Sequence, residues 1–600
     1  MNKKSIAVIA LSGLIGIGCL AGCSNNCVPA DRQKITFWGI PDQYNGNSFK
    51  EMVDAYNKGQ GAIDGVWVSY LPKSDTSSDH VNTCTSKKPT VDVIGVSDRY
   101  TFNNIAQGFY TNLQPYVDDT STYTTDKNGK KLFDVNNYAS NNIDRYRFNV
   151  QTKEAGKGED LYMLPMLNNA TVLYYNETQF INNNINIISV PEEELDAYNA
   201  TNGTSYAPRG YAEYTVAAAP ETNLKTSVNL QGQTVVKVFN NCIPMSFLET
   251  NTLSKNFSKA QNTKSSTKYG ILNEWWFSHG WAVGGDCVKW DVEANQYKFT
   301  LGEEAKNYLV TSEVTINGVL YQPGEILTYR DKKTVQSGAE HLYELPSQYE
   351  QFREFCAWSQ KKGVAVDDEL SGYEISPSPA TLGNTSKATY FTSSEVAMLV
   401  EDLSAINVIS NAVGSKFVWN VAPLYTYREF EGEAPEASGV LKVIDGNSFK
   451  GEVKEVEGTP IVGKLSGSSI NTSYAIPANS ANKDEAWKFL QYISSAEGQS
   501  FFVKNDNGTP TSSLLINSPD YYNKANKKCS NYRAISIMGE KCEIGDWSYF
   551  ENGAWIKPWS DELNTDVRNG VTSMDDFFAH QQANIDNLLK TYKFKLHGKE

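Results

Sequence analysis

Histidine is scarce in this chain: five occur in 600 residues, at positions 80, 279, 341, 580 and 597, and none has a ligand-like spacing to another. The nine cysteines form no Cys-x-x-Cys pair. Metal sites of the zinc type need His and Cys in short, regular spacings, so no metal is expected, and nothing calls for a cofactor. There is no Gly-x-x-x-x-Gly-Lys-Ser/Thr loop to cradle nucleotide phosphates. No Gly-x-Ser-x-Gly elbow presents a nucleophilic serine. Positive charge is also short, with 54 Lys and Arg against 69 Asp and Glu and a formal net charge of −15. A net acidic surface lacks the clustered cations that displace counterions from nucleic acid, and it disfavours broad adhesion to anionic lipid. No repeat recurs at a solenoid or propeller period, and no long apolar run lies beyond the N-terminus.

What the chain does have begins at that N-terminus. Lys3 and Lys4 precede an apolar run over residues 5–20, which Leu20-Ala21-Gly22-Cys23 closes. This order is that of a secretory signal, too short and wrongly flanked to span a bilayer. The last four residues resemble the lipobox of bacterial lipoproteins, whose cysteine is acylated and becomes the new N-terminus. An ordinary signal peptide with a chance cysteine is the plainer alternative. The resemblance implies a leader over 1–22, a lipid-anchored tether over 23–33, and a protein held on the outer face of the cell membrane by the acyl chains of Cys23. Disulfides are permitted there. Cys27, Cys84, Cys242, Cys287, Cys356, Cys529 and Cys542 form an odd set, so at least one stays unpaired. Nearness in sequence offers Cys529 with Cys542 and Cys242 with Cys287.

A chain of 600 residues exceeds what one core supports, so two or more domains are expected. Lys34–Trp38 reads as a strand, and Ser48-Phe-Lys-Glu51 as a capping box opening a helix with Phe49, Met52, Val53 and Tyr56 on one face and Gly59 at its stop. Val66–Tyr70 and Val91–Ser97 follow as strands, with a helical stretch near 102–107. That succession points to an α/β unit with a mostly parallel sheet. Leu161–Asn176 is a long apolar segment, whereas residues 190–265 are Asn/Thr/Ser-rich and read as elaborated loop with local strand. Thr311–Arg330 alternates and turns at Asn317-Gly318 and Pro323-Gly324, the pattern of an inserted hairpin. Residues 348–360 carry a helical stripe of Phe352, Phe355, Cys356 and Ser359. Asn482 and Ser573 stand where they would cap two late helices, faced by Ala486, Phe489, Leu490 and Ile493 and by Met574, Phe577, Phe578, Ile585, Leu588 and Leu589.

Several of these segments, in this order, resemble the extracellular solute-binding proteins of ABC importers, in particular the oligosaccharide binders that include maltodextrin-binding protein. Five blocks carry the likeness: Ile35-Thr-Phe-Trp38; Val91 through Tyr100 with Ala106-Gln-Gly108; Leu164-Pro165 through Tyr175-Asn176; Ser394-Glu-Val-Ala-Met398; and Ile476 through Phe502. The last, with Ser480-Ala-Asn-Lys-Asp-Glu-Ala-Trp487-Lys-Phe489 and Ala496-Glu-Gly498, is the most specific. The likeness runs over residues 35–590. The chain departs from the pattern in its extra length near 186–265, 305–345 and 425–460, and it lacks the family's usual Pro-x-Thr-Trp segment after the first crossing. It implies an α/β fold of two lobes, type II in the periplasmic-binding-protein sense, each a mixed sheet flanked by helices. The lobes would divide as 34–166 with 473–533, and 167–472 with 534–600.

The same resemblance places candidate ligand contacts. Asp98 and Arg99 follow the third strand, where open α/β sheets hold ligands and where similar maltodextrin binders bond sugar hydroxyls. A helix cap paired with its neighbouring arginine is the alternative. Carboxylate and guanidinium suit sugars because vicinal hydroxyls bridge two acceptors or two donors. Trp38 ends the first strand and is a floor for the crevice or core. Asn168 and Asn169 stand where the family carries an acidic contact, and an Asn pair equally suits a turn. Asn273-Glu-Trp-Trp-Phe-Ser-His-Gly-Trp281 is similar to the family's aromatic stretch before a Gly-Gly loop. Of Trp275 and Trp276, one is expected to stack on a pyranose ring and the other to be core, with Glu274 beside them. Where the family has Gly-x-Trp, this chain has Glu401-Asp402-Leu403-Ser404, so a platform is lost and two acids stand in its region, as hydroxyl acceptors or as a cap. Trp555 and Trp559 fall near a tryptophan that stacks on sugar in similar proteins.

The expectation is therefore a non-enzymatic, monomeric lipoprotein that closes two lobes around an oligosaccharide and presents it to the permease subunits of an ABC transporter. Two rivals share these features. A secreted glycoside hydrolase would use a carboxylate pair drawn from Asp98, Glu274 and Glu401. A carbohydrate sensor or adhesin would keep the fold without transport.

Overall fold

The computed structural model describes residues 28–39, 47–73, 77–97, 101–151, 154–216, 224–229, 231–276, 278–291, 294–316, 318–327, 332–430, 442–444, 448–450, 460–469, 471–504, 508–524, 527–542, 555–591 and 595–596. The leader, Cys23, Cys27, Asp98 and Arg99 lie outside these residues. The two main sheets draw on β1 (Gln33–Gly39), β2 (Val66–Pro72), β3 (Val93–Ser97), β4 (Leu164–Asn168), β5 (Thr171–Asn176), β6 (Tyr269–Leu272), β7 (Val396–Asp402), β8 (Trp419–Ala422), β9 (Asn471–Ala475) and β10 (Thr509–Pro510). Around them pack α1 (Ser48–Lys58), α2 (Phe247–Phe257), α3 (Gln348–Ser359), α4 (Lys387–Thr392), α5 (Lys483–Ser494), α6 (Ala496–Val503), α7 (Tyr532–Lys541), α8 (Ile556–Glu562) and α9 (Met574–Leu589).

The first sheet has the order β2-β1-β3-β9-β4-β10. It is parallel through β2, β1 and β3, after which β9 enters antiparallel to both β3 and β4. The sheet is thus mixed where the early pattern alone pointed to a mostly parallel one, because β9 returns from far along the chain. The second sheet has the order β6-β7-β5-β8, with β6 and β7 parallel and β5 running against β7 and β8.

These registers fix where the sheets meet. In the first sheet β1, β2, β3 and β4 run the same way, so Gly39, Pro72, Ser97 and Asn168 end on one edge. In the second, β6, β7 and β8 end on the edge where β5 begins, at Leu272, Asp402, Ala422 and Thr171. Only Asn169 and Ala170 separate β4 from β5. The carboxyl-terminal edges of the two sheets therefore face each other across a two-residue crossing. A second crossing runs beside it, where the Thr171 hydroxyl donates to the Ser468 carbonyl at 2.5 Å just before β9 begins.

The first lobe closes over an aromatic core. In it, Phe37 of β1 meets Phe49 of α1, Tyr474 of β9 and Phe489 of α5 at ring separations of 5.3–5.7 Å. The buried face of α1 is the expected one, with Phe49, Met52, Val53 and Tyr56. Its expected capping box does not form: Ser48 is already helical, and Glu51 pairs with Lys504 at 2.5 Å. Asn482 precedes α5 without a side-chain cap bond, its amide donating instead to Asp92 at 3.1 Å. Ser573 does cap α9, whose buried residues include Met574, Phe577, Phe578, Ile585 and Leu589, while Leu588 turns outward. Gly498 owes its place to a close approach, since a Cβ there would meet the Tyr492 carbonyl at 2.2 Å.

Residues 190–265 are more ordered than their composition implies. Ile185–Ile188, Tyr211–Thr215, Thr226–Val228 and Thr234–Asn240 form a four-stranded sheet, held by buried Val235, Val236, Val238 and Phe239. The expected hairpin is present at Val314–Ile316 and Val319–Tyr321. Neither expected disulfide forms: Cys84, Cys242, Cys287, Cys356, Cys529 and Cys542 are all free and buried. The Cys242 sulfur lies 3.3 Å from the Asn531 amide oxygen, and that of Cys542 lies 3.9 Å from the Thr171 carbonyl, so each thiol is committed to a separate packing site. No helix among the described residues is long and apolar enough to cross a membrane.

The start of α2 contains a titratable group with a defined consequence. Glu249 forms a true capping box with Ser246, is buried, and has its carboxyl pushed up to about 7, mainly by burial, against the opposing pull of Arg209 and Arg428. The folded state thus holds this proton above the unfolded value of ~4.3, and the stability it contributes is complete below that value and lost as pH rises through about 7. Glu249→Gln keeps the cap (Gln also serves at this position) and removes the titration. In urea unfolding the variant is expected to gain on the order of 1–3 kcal/mol relative to wild type between pH 5 and pH 8. Parallel stability curves across that range would refute it.

Candidate functional site

The facing edges bring several of the sequence candidates together. Leaving β6, Asn273 turns the chain: its side-chain oxygen accepts from the Trp275 amide at 2.7 Å, and its amide donates to the Tyr425 hydroxyl at 2.6 Å. Trp275 and Trp276 consequently point apart. Trp276 is buried against Trp555 and Trp559, with ring centroids 6.4 and 5.9 Å away. Trp275 is half-buried, and the Lys387 ammonium at the start of α4 lies 4.6 Å from its ring centroid.

Glu274, between the turn and the tryptophans, is fixed by Arg568. The two guanidinium nitrogens donate to its two oxygens at 2.8 and 3.1 Å. Arg568 is itself buried and held on several sides: it also donates to Ser359 at 3.2 Å and Asn564 at 3.1 Å, and stacks over Phe355 at 4.6 Å. The Glu274 side chain retains 23% exposure, so one face of a pre-oriented carboxylate stays open. Bidentate pairs of this kind are among the stronger polar contacts.

At the end of β7, Glu401 pairs with Lys387 at 2.6 Å. Burial raises the Glu401 carboxyl above its ordinary value, with Lys387 opposing that rise. Its neighbour Asp402 caps the short turn Leu403–Ala405, accepting from the Ser404 amide at 2.9 Å. Asn169 is half-buried on the crossing itself.

Other candidates sit behind this surface. Asn168 is buried, donating to the Gly539 carbonyl at 2.7 Å and to Asn142 at 3.1 Å, so it ties α7 and the crossing together. Trp555 and Trp559 have no exposed surface; Trp559 packs on Phe577 at 4.5 Å and Phe299 at 4.7 Å. They back Trp276 as an inner aromatic wall. Trp38 is buried at the end of β1, its indole N–H donating to the Lys73 carbonyl at 2.9 Å. Asp98 and Arg99, next in sequence after β3, lie outside the described residues.

Four residues that matter here were not singled out from sequence: Asn273, Lys387, Arg568 and Lys73. Asn273 alone had a local signal, an Asx-type turn residue directly after an apolar strand. A concavity of about 800 Å³ between α8 and α9 is lined by none of the residues above, and the site is not assigned there.

The arrangement is one indole plane with a fixed acceptor next to it in the chain and an ammonium over the ring. It offers stacking and hydrogen bonding. The Glu274–Arg568 pair predicts strong coupling. In a double-mutant cycle of Glu274→Gln and Arg568→Met, unfolding energies are expected to depart from additivity by at least about 1 kcal/mol. Additivity within ~0.3 kcal/mol would remove Arg568 as the residue that orients this carboxylate.

No protein-family model matches the chain, and no curated protein matches its sequence. Solved structures match it in fold. A sugar transporter structure from Rhizobium etli, in an open conformation, superposes with a TM-score of 0.51 over 92% of this chain and 99% of its own, at 13% identity. A cyclo/maltodextrin-binding protein complexed with maltotetraose gives a TM-score of 0.50 over 94% of this chain and 99% of its own, also at 13% identity. At this identity the likeness is one of architecture, and the chain has the two-lobed α/β fold of these binding proteins.

Proposed function

We propose that this protein is an extracellular solute-binding lipoprotein, anchored through Cys23, that captures an oligosaccharide between its two lobes and delivers it to an ABC permease. The observation that carries the reading is the half-exposed Trp275 beside the fixed Glu274, placed where the carboxyl-terminal edges of both sheets face each other. Pyranose rings stack their C–H faces on indole while their hydroxyls reach carboxylate and amide groups. Trp275, Glu274, Glu401 and Asn169 are the contacts assigned on the second-lobe side and the crossing; Asp98 and Arg99 are assigned to the first. The matched solved proteins, described as a sugar transporter and as a maltodextrin binder with maltotetraose, support the ligand class.

The pairing of the described carboxylates supports binding rather than hydrolysis. A glycosidase needs one protonated acid facing the leaving oxygen. Both oxygens of Glu274 already accept from Arg568, and Glu401 is held by Lys387 at 2.6 Å. Each serves as an acceptor.

Capture works through closure. A ligand that moves a 1:99 population to 99:1 must favour the closed form by ~5.5 kcal/mol. A few charge-assisted hydrogen bonds of ~1.5–3 kcal/mol each and one aromatic stack supply that. A glycan array followed by calorimetry on the purified chain identifies the ligand. Trp275→Ala is expected to weaken its binding at least about tenfold with folding retained. Unchanged affinity, or glycans recovered chemically altered, would overturn the proposal. Separately, Cys23→Ser is expected to release the protein from cells, and continued membrane retention would refute the anchor.

A further inference from the structure

The Trp275 plane that the proposed function needs is not vacant. The Lys387 ammonium lies 4.6 Å from the ring centroid and pairs with Glu401 at 2.6 Å. The same three-part arrangement recurs on the other lobe: the Lys73 ammonium lies 4.5 Å from the Trp38 centroid and pairs with Asp79 at 2.8 Å. Trp275 and Trp38 are thus each covered by a lysine, and each lysine is tethered to an acid. A cation over indole is attracted by the ring's negative face, the same face a sugar's C–H groups require.

Resting on the reading of Trp275 as a sugar platform, we propose that Lys387 is a resident competitor for it: the ligand displaces the ammonium from the indole, and Glu401 keeps the displaced cation. The ligand class follows. Each lysine is already neutralised by a protein carboxylate, so an anionic sugar would have to displace Glu401 as well as the ammonium. A neutral glycan displaces only the weaker contact. It must also cover the ring, which selects pyranoses with mostly equatorial hydroxyls and a continuous C–H face over small polyols. Lys387 is therefore a specificity-determining residue that sets a threshold for binding.

The experiment uses the full chain and a neutral glucose-based oligosaccharide such as maltotetraose, with a sulfated oligosaccharide as second probe. Lys387→Ala, and Lys387→Gln, whose amide keeps a donor for Glu401 without the cation, are each expected to bind the neutral glycan about three- to tenfold more tightly than wild type. In protein labelled with ¹³C-lysine, one side-chain signal, absent from Lys387→Ala, is expected upfield in the free protein and at an ordinary position when glycan saturates it. Weaker or unchanged binding in both variants would overturn the proposal, as would a lysine signal that stays upfield on saturation or preferential capture of the sulfated probe. Those results leave the sugar-binding reading standing when Trp275→Ala still loses affinity. No response of wild type to any glycan defeats that reading itself.

Discussion

The two residues Asn169 and Ala170 constrain everything else in this molecule. Because β4 ends at Asn168 and β5 begins at Thr171, the edge on which four strands of the first sheet terminate is held against the corresponding edge of the second. Strand ends are where backbone groups leave the ladder and where loops gather side chains for ligands. A longer crossing would let the sheets drift apart, and a shift of one residue would turn alternate side chains to the other face. The buried amide of Asn168, bonded to α7 and to Asn142, holds this crossing in register. The second crossing, antiparallel to the first and bonded to it between Thr171 and Ser468, doubles it. Two adjacent short crossings leave rotation about the crossing as the motion that moves one lobe against the other without breaking either sheet.

Aromatic side chains are then sorted by burial. The chain contains 12 tryptophans, and a large indole is favourable in a core or on a platform, so type does not separate the roles. Position does. The Asn273 turn forces Trp275 and Trp276 to opposite sides, and Trp276 joins Trp555, Trp559, Phe299 and Phe577 in a continuous wall. That wall is stiff because packed aromatic rings have few alternative rotamers at full density. It backs the Trp275 loop, while Arg568, stacked on Phe355, sets the orientation of Glu274.

Much of the fold was legible in the amino-acid sequence because its signals are local. The stripe of Phe49, Met52, Val53 and Tyr56 is a helix face read within eleven residues, and the Ser573 cap is read within four. What was not legible depends on partners distant in the chain. The helix starts one residue early, at Ser48, leaving Glu51 to pair with Lys504, and β9 broke into the parallel run from beyond residue 470. The sheet within 190–265 was hidden by polar edge residues around the Val235–Phe239 core. In the site, Glu274 and Trp275 were nameable from their own segment. Arg568 stands 294 residues from Glu274, and nothing in the spacing around it marks a guanidinium that fixes a carboxylate. The cysteine pairs failed for the converse reason: sequence nearness did not translate into facing side chains once Cys242 and Cys542 entered separate packing sites.

Charge compensation ties these observations to function. The protein as a whole is acidic, yet three charged side chains near the facing edges are paired, Glu274 with Arg568, Glu401 with Lys387, and Lys73 with Asp79 on the opposite lobe, while Asp402 caps the Leu403–Ala405 turn. An uncompensated charge at this depth would be costly to desolvate when lobes close over it. A compensated one becomes a rigid dipole whose free lone pairs and N–H groups remain available. Such a surface has little net field to attract an ion but many directed hydrogen-bonding positions around one apolar plane. Neutral polyhydroxylated rings match that description, since they bring alternating donors and acceptors at their rim and hydrocarbon on their face. Under the proposed binding role, closure would bring the paired charges of Glu274, Glu401 and Lys73 toward ligand hydroxyls as dipoles and not as bare ions.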